Sequence, residues 1–90
     1  MSQSVESGTP RNLTGTGSVS LVPGNLFGFY VNSTTGGTIV IGDGSNEAGT
    51  AISGTITPAI GFHRFPAYCT AGCYVTIANT LDVTLFFAAG

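Results

Sequence analysis

The fold is read first from Tyr74-Val75-Thr76-Ile77-Ala78-Asn79-Thr80-Leu81-Asp82-Val83-Thr84-Leu85-Phe86-Phe87. Two runs inside it alternate. Tyr74 and Thr76 oppose Val75 and Ile77, and Leu81, Val83, Leu85 and Phe87 oppose Asp82, Thr84 and Phe86. A period of two puts successive side chains on opposite faces, the signature of a half-buried strand. Only Asn79 and Thr80 separate the runs, so the spacing predicts an antiparallel hairpin between them, with Asn accepting a positive φ in the turn.

Outward from this stretch, residues 61–87 hold four of the six Phe (Phe62, Phe65, Phe86, Phe87), both Cys, the only His and one of the two Arg. A second aromatic cluster lies at 26–31. Residues 18–22 read as a strand ended by the turn Pro23-Gly24-Asn25. Residues 26–32 read as the next strand, with Phe27, Phe29 and Val31 on one face and Gly28 marking a bulge or a close backbone approach. Residues 32–37 form a loop by composition, 38–41 a buried β-branched strand, and 42–49 a turn. Residues 50–57 read as a strand interrupted by Gly54 and closed by Pro58, and 62–68 as an extended segment that Pro66 places at an edge. No window carries an apolar period of 3.6 with caps, so no helix is expected. Six or seven short strands punctuated by Gly and Pro predict an all-β fold, a small antiparallel β-sandwich or jelly-roll-like barrel. Residues 18–90 would form this single domain, preceded by a polar, flexible arm at 1–17.

Ninety residues, 42% of them hydrophobic, suffice for one small core. Charged residues are only 7%, far below the quarter usual in soluble domains, and both cations are Arg. A surface with so little charge repels neighbours weakly, which suits a chain that lives packed against others. A net charge of −2 excludes the clustered cations of a nucleic-acid footprint. No apolar run reaches the length of a membrane-spanning helix. The first residues show neither the basic region nor the apolar core of a secretion signal, so synthesis in a cytoplasm and reduced thiols are expected.

The candidate chemistry is sparse. Cys69-Thr70-Ala71-Gly72-Cys73 has the spacing of neither a thioredoxin-like redox pair nor half a zinc site, and a disulfide closing it is sterically feasible. With no secretion signal, the two are read as buried free thiols. His63 lacks the nucleophile and orienting carboxylate that catalysis requires, which leaves a structural or an interface role. Asp43-Gly44-Ser45-Asn46-Glu47 offers oxygens at loosely calcium-like spacing, yet Asp-Gly between strands signals a turn first. Asn12-Leu13-Thr14 and Asn32-Ser33-Thr34 match the glycosylation sequon by chance in a chain without a secretion signal. No phosphate loop is present, and no metal, cofactor or enzymatic activity is expected.

Leu26-Phe27-Gly28-Phe29-Tyr30-Val31-Asn32, Gly37-Thr38-Ile39-Val40-Ile41, Gly61-Phe62-His63-Arg64-Phe65-Pro66-Ala67 and the closing pair of runs carry a resemblance. Together the chain from Leu26 to Phe87 resembles the small β-rich structural proteins of tailed bacteriophages, over about two thirds of its length. The resemblance implies a non-enzymatic virion component made in the host cytoplasm. Its first form would be a capsid cement or decoration protein, a trimer bridging major capsid protein subunits so that the shell resists the pressure of packaged DNA. Its second form would be a neck or tail-fibre accessory module that binds host glycan through exposed Tyr and Phe. Arg and aromatic residues are enriched in interfaces, so the expected contacts are Phe62, His63, Arg64 and Phe65, joined by Arg11 from the N-terminal arm.

Overall fold

The structure, a computed structural model, describes residues 9–46 and 49–89. Among these residues it is all-β with no helix. The six strands are β1 (Thr9–Leu13), β2 (Gly17–Ser20), β3 (Gly24–Asp43), β4 (Thr50–Ala51), β5 (Gly61–Cys69) and β6 (Cys73–Ala89). The small antiparallel fold expected from the sequence is there, with two strands far longer than expected.

β3 and β6 pair antiparallel along their whole length, from Gly24↔Ala89 to Asp43↔Cys73. A straight strand of 20 residues would reach about 66 Å, yet the longest dimension of the molecule is 40 Å. The ribbon therefore bends. The three-residue turn from Cys69 to Cys73 links the partner of Gly24 to the partner of Asp43, so the two ends of β3 come within about 15 Å plus two strand spacings. Gly36 (φ 65), paired with Thr80, and the neighbouring Asn79 (φ 61) lie at the bend, where the register slips, and Asn79 Nδ2 donates to the Gly36 carbonyl at 2.9 Å.

Folding the ribbon makes two layers from one sheet. In the first, β1 flanks the late half of β6 and β5 flanks the early half of β3. In the second, β2 flanks the early half of β6, while β4 and a single bridge from Ile56 to Ile39 flank the late half of β3. The inward side chains come from both halves: Leu26, Phe29, Val31, Ile39 and Ile41 of β3, and Val75, Leu81, Val83, Leu85 and Phe87 of β6. All are 5% exposed or less. Each contributes about 1.5–3 kcal/mol by leaving water, so one shared apolar face holds the layers together.

Four sequence expectations are corrected here. The runs on either side of Asn79 do not form a hairpin with each other; they are one strand, and both pair with β3. A two-residue reversal would set Val75 and Ile77 on the face opposite Leu81, Val83 and Leu85, whereas one continuous strand turns all of them to the core, so the chain bends at Asn79 instead of turning back. Residues 32–37, expected as a loop, continue β3 through the same bend. Residues 9–13, placed in the arm by composition, form β1 against β6, while residues 1–8 of that arm lie outside the described residues. The 50–57 strand shrinks to two residues and a bridge because the Ser53 hydroxyl accepts from Ile41 N–H in place of a ladder carbonyl. Of the expected 42–49 turn, Glu47 and Ala48 also lie outside the described residues.

Candidate docking surface

β5 carries Pro66 without losing a ladder bond because its outer edge is free among the described strands, as Pro requires. Its alternation then sorts its side chains cleanly. Gly61, His63, Phe65 and Ala67 turn half-buried toward the core, and Phe62, Arg64, Pro66 and Tyr68 stand exposed on the opposite face. Tyr30 on β3 pairs with Phe62, and Phe86 on β6 pairs across Gly28. The Phe62 and Phe86 rings meet at 6.0 Å, tilted 54°. Gly28 makes this arrangement possible: a Cβ there would sit 2.9 Å from the Phe62 ring and 2.5 Å from the His63 carbonyl oxygen. The register also slips between Leu26 and Gly28, so both sequence readings of Gly28, bulge and close approach, hold. The slip turns Leu26 inward beside Phe29, and Phe27 stays half-buried.

The result is an aromatic face over three strands. Tyr30, Phe62 and Tyr68 are 43%, 54% and 53% exposed, and Ile60, just before β5, is 64% exposed. Arg64 is the single charged side chain among them.

The five expected contact residues do not form one patch. Phe62 and Arg64 lie on this face. Phe65 packs against the core. The His63 ring stacks on Phe29 at 5.2 Å, and its Nε2 donates to the Ala59 carbonyl at 2.7 Å, tying the β4–β5 connection to β5. Of its two open roles, this geometry serves the structural one. Arg11 lies on β1, at the far edge of the layer, where its Nε donates to the Ser18 carbonyl. It lines an open cleft of about 310 Å³ with Thr9, Pro10, Val19, Ser20, Phe87 and Ala89. Tyr30 and Phe86 join the face without having been expected there. The parity of β5 was visible in the sequence, but their membership depends on cross-strand register, which no local pattern fixes.

Two polar devices brace the ribbon. Asp82 Oδ1 accepts from Asn12 Nδ2 at 2.7 Å and from Asn32 Nδ2 at 3.3 Å, stitching β1, β6 and β3 together. Thr84 Oγ1 accepts from the same two amides. The Asn of each chance sequon is thus a cross-strand rung. At the opposite end, Asp43 reaches the β5–β6 turn. Its Oδ2 accepts from the Thr70 N–H and hydroxyl, both at 2.9 Å, and Oδ1 accepts from Ala71 N–H at 2.8 Å. The Thr70 and then the Ala71 amide hold its carboxyl below the ordinary carboxylate range, the Thr70 hydroxyl adding to them. The calcium-like reading therefore gives way to a turn clamp made by its one described carboxylate. Among the described residues no three His, Cys, Asp or Glu side chains gather to hold a metal ion.

Comparison with protein-family models, curated proteins and solved structures finds no match to the chain.

Proposed function

We propose that this protein is a non-enzymatic structural module that docks onto a larger protein assembly through the aromatic face of β3, β5 and β6. The carrying observation is that face. Three exposed aromatic rings share it with one Arg, on a chain whose charged fraction is 7%. Tyr and Arg head the residues that dominate binding energy at interfaces, and burying such a face gains apolar area without desolvating paired charges. Following the phage resemblance, the assembly is a virion and the first role is capsid cement: copies seated across joints between major capsid protein subunits add association free energy at each joint.

The test is co-sedimentation of the purified chain with shells of its parent phage that lack it. Wild type is expected to bind at a simple ratio to the major capsid protein. Phe62→Ser with Tyr68→Ser should lose occupancy at least tenfold while keeping the circular dichroism of the native fold, because both side chains face solvent in the isolated chain. Full occupancy of the double variant would remove the face from the docking role. Binding at a ratio matching tail or neck proteins, together with hits on a glycan array, would favour the second role, in which the same exposed rings stack on host sugars.

A further inference from the structure

Cys69 closes β5 and Cys73 opens β6, and neither side chain has exposed surface. Both are free thiols. They sit in one core cluster with only three residues between them. The turn between them is held from two other elements. Asp43 takes both N–H groups of Thr70 and Ala71, and Gly44 N–H donates to the Gly72 carbonyl at 3.0 Å. Gly72 adopts φ 124, and a Cβ there would lie 2.7 Å from the Ser20 carbonyl oxygen. Two buried thiols at the two ends of a turn closed this tightly are placed to meet and bond.

We propose that Cys69 and Cys73 form a latent disulfide, closed by a low-molecular-weight disulfide oxidant and clamping the turn that joins the two layers. The oxidant is of the class of oxidised glutathione. Cys69 gives its proton to solvent, and the thiolate attacks one glutathione sulfur, releasing a first glutathione thiol. The Cys73 thiolate then attacks Cys69 Sγ in the mixed disulfide and expels the second. Two protein thiols lose two hydrogens, and one glutathione disulfide becomes two thiols. Burial pushes both protein thiols up in pKa and keeps them unreactive while the turn is closed. Reaction proceeds through opening of the turn, whose Thr70 and Ala71 are exposed. The device is independent of the docking face: it stiffens the module when the chain passes from a reducing to an oxidising medium.

The experiment incubates the reduced full chain with oxidised glutathione at mildly alkaline pH, quenches in acid, and reads intact mass and an unreduced peptide map. A parallel sample passes through partial denaturant and back, so that access to the buried thiols is not limiting. The expected result is loss of two hydrogens per chain, a Cys69–Cys73 cross-linked peptide and no covalent dimer. The unfolding midpoint should rise by about 5 °C or more and return when dithiothreitol is added. Cys69→Ser and Cys73→Ser should each stop at a persistent glutathione adduct on the remaining thiol. Free thiols in both wild-type samples, a persistent wild-type adduct, intermolecular bonds, or an oxidised form that melts below the reduced one would each overturn the proposal.

Discussion

Asp43 leaves the end of β3 beside a turn whose N–H groups have no ladder partner, and its two oxygens take three donors there. Those donors favour the ionised carboxyl, so its folded pKa lies below the ordinary 3.8. The sign of the linkage follows. As acid is added, the unfolded chain takes up this proton first, near 3.8, while the folded chain resists. The stabilisation is complete at neutral pH and is lost as pH falls below 3.8 toward the folded value. Asp43→Asn keeps one acceptor and loses the charge. Its unfolding midpoint should be lower than wild type at neutral pH and converge on wild type in acid. Thermal melts from neutral pH down to about one unit below 3.8 check this; parallel curves would show that the clamp does not depend on its charge. The sequence held part of this. Asp-Gly was legible as a turn signal, but the partner of the carboxylate lies 27 residues away, and only the folded ribbon brings them together.

The β3–β6 ribbon teaches the same lesson at the scale of the element. Alternation in Val75, Ile77, Leu81, Val83, Leu85 and Phe87 was legible, and all six do turn inward, Ile77 half-buried. Taken together, the two runs even separate reversal from continuation. A two-residue reversal would pair Ala78 with Leu81 and Ile77 with Asp82, putting Val75 and Ile77 on the face opposite Leu81, Val83 and Leu85, whereas one continuous strand keeps all six on one side. What no local pattern shows is the partner, β3, which pairs continuously from residue 24 to 43 and offers the Gly36 carbonyl to Asn79 at the bend. The same local blindness hid β1: Thr9-Pro10-Arg11-Asn12-Leu13 is polar because its side chains are mostly exposed, and Asn12 is bound by the Asp82 rung. The bend itself is testable at Asn79. Asn79→Gly preserves the conformation and loses only the bond to Gly36, so it should cost less than about 1 kcal/mol. Asn79→Val loses the bond and forces a β-branched residue into the left-handed region, for a loss of about 2–3 kcal/mol in urea unfolding. Equal losses for the two variants would mean that the hydrogen bond alone sets the bend.

For the whole molecule, the question is what a charge-poor surface with one aromatic face does in solution. Two Arg and four acidic residues cannot generate strong steering or repulsion. Association through the Tyr30–Phe62–Tyr68 face would be driven by apolar burial, which excluded salts such as sulfate strengthen and which simple screening does not weaken. We therefore expect the isolated chain to self-associate, with a trimer as the working stoichiometry. The equilibrium should shift by less than about threefold on going from low to physiological sodium chloride, since among the described residues the face carries a single charge, Arg64, and toward the oligomer in sulfate. Sedimentation velocity across a concentration series measures both. Phe62→Ser with Tyr68→Ser should return the chain to monomer if copies meet through this face, and should leave the oligomer intact if copies meet elsewhere and the face is kept for another protein. Arg64→Ala should matter less than either aromatic change, because a guanidinium at an exposed rim contributes little beyond its packing. A steep loss of association with sodium chloride would assign the contact to charges instead, and Arg11 at the β1 edge would be the first residue to replace. A monomer at every concentration and in either salt would overturn the homo-oligomer and leave the aromatic face to a partner of different sequence.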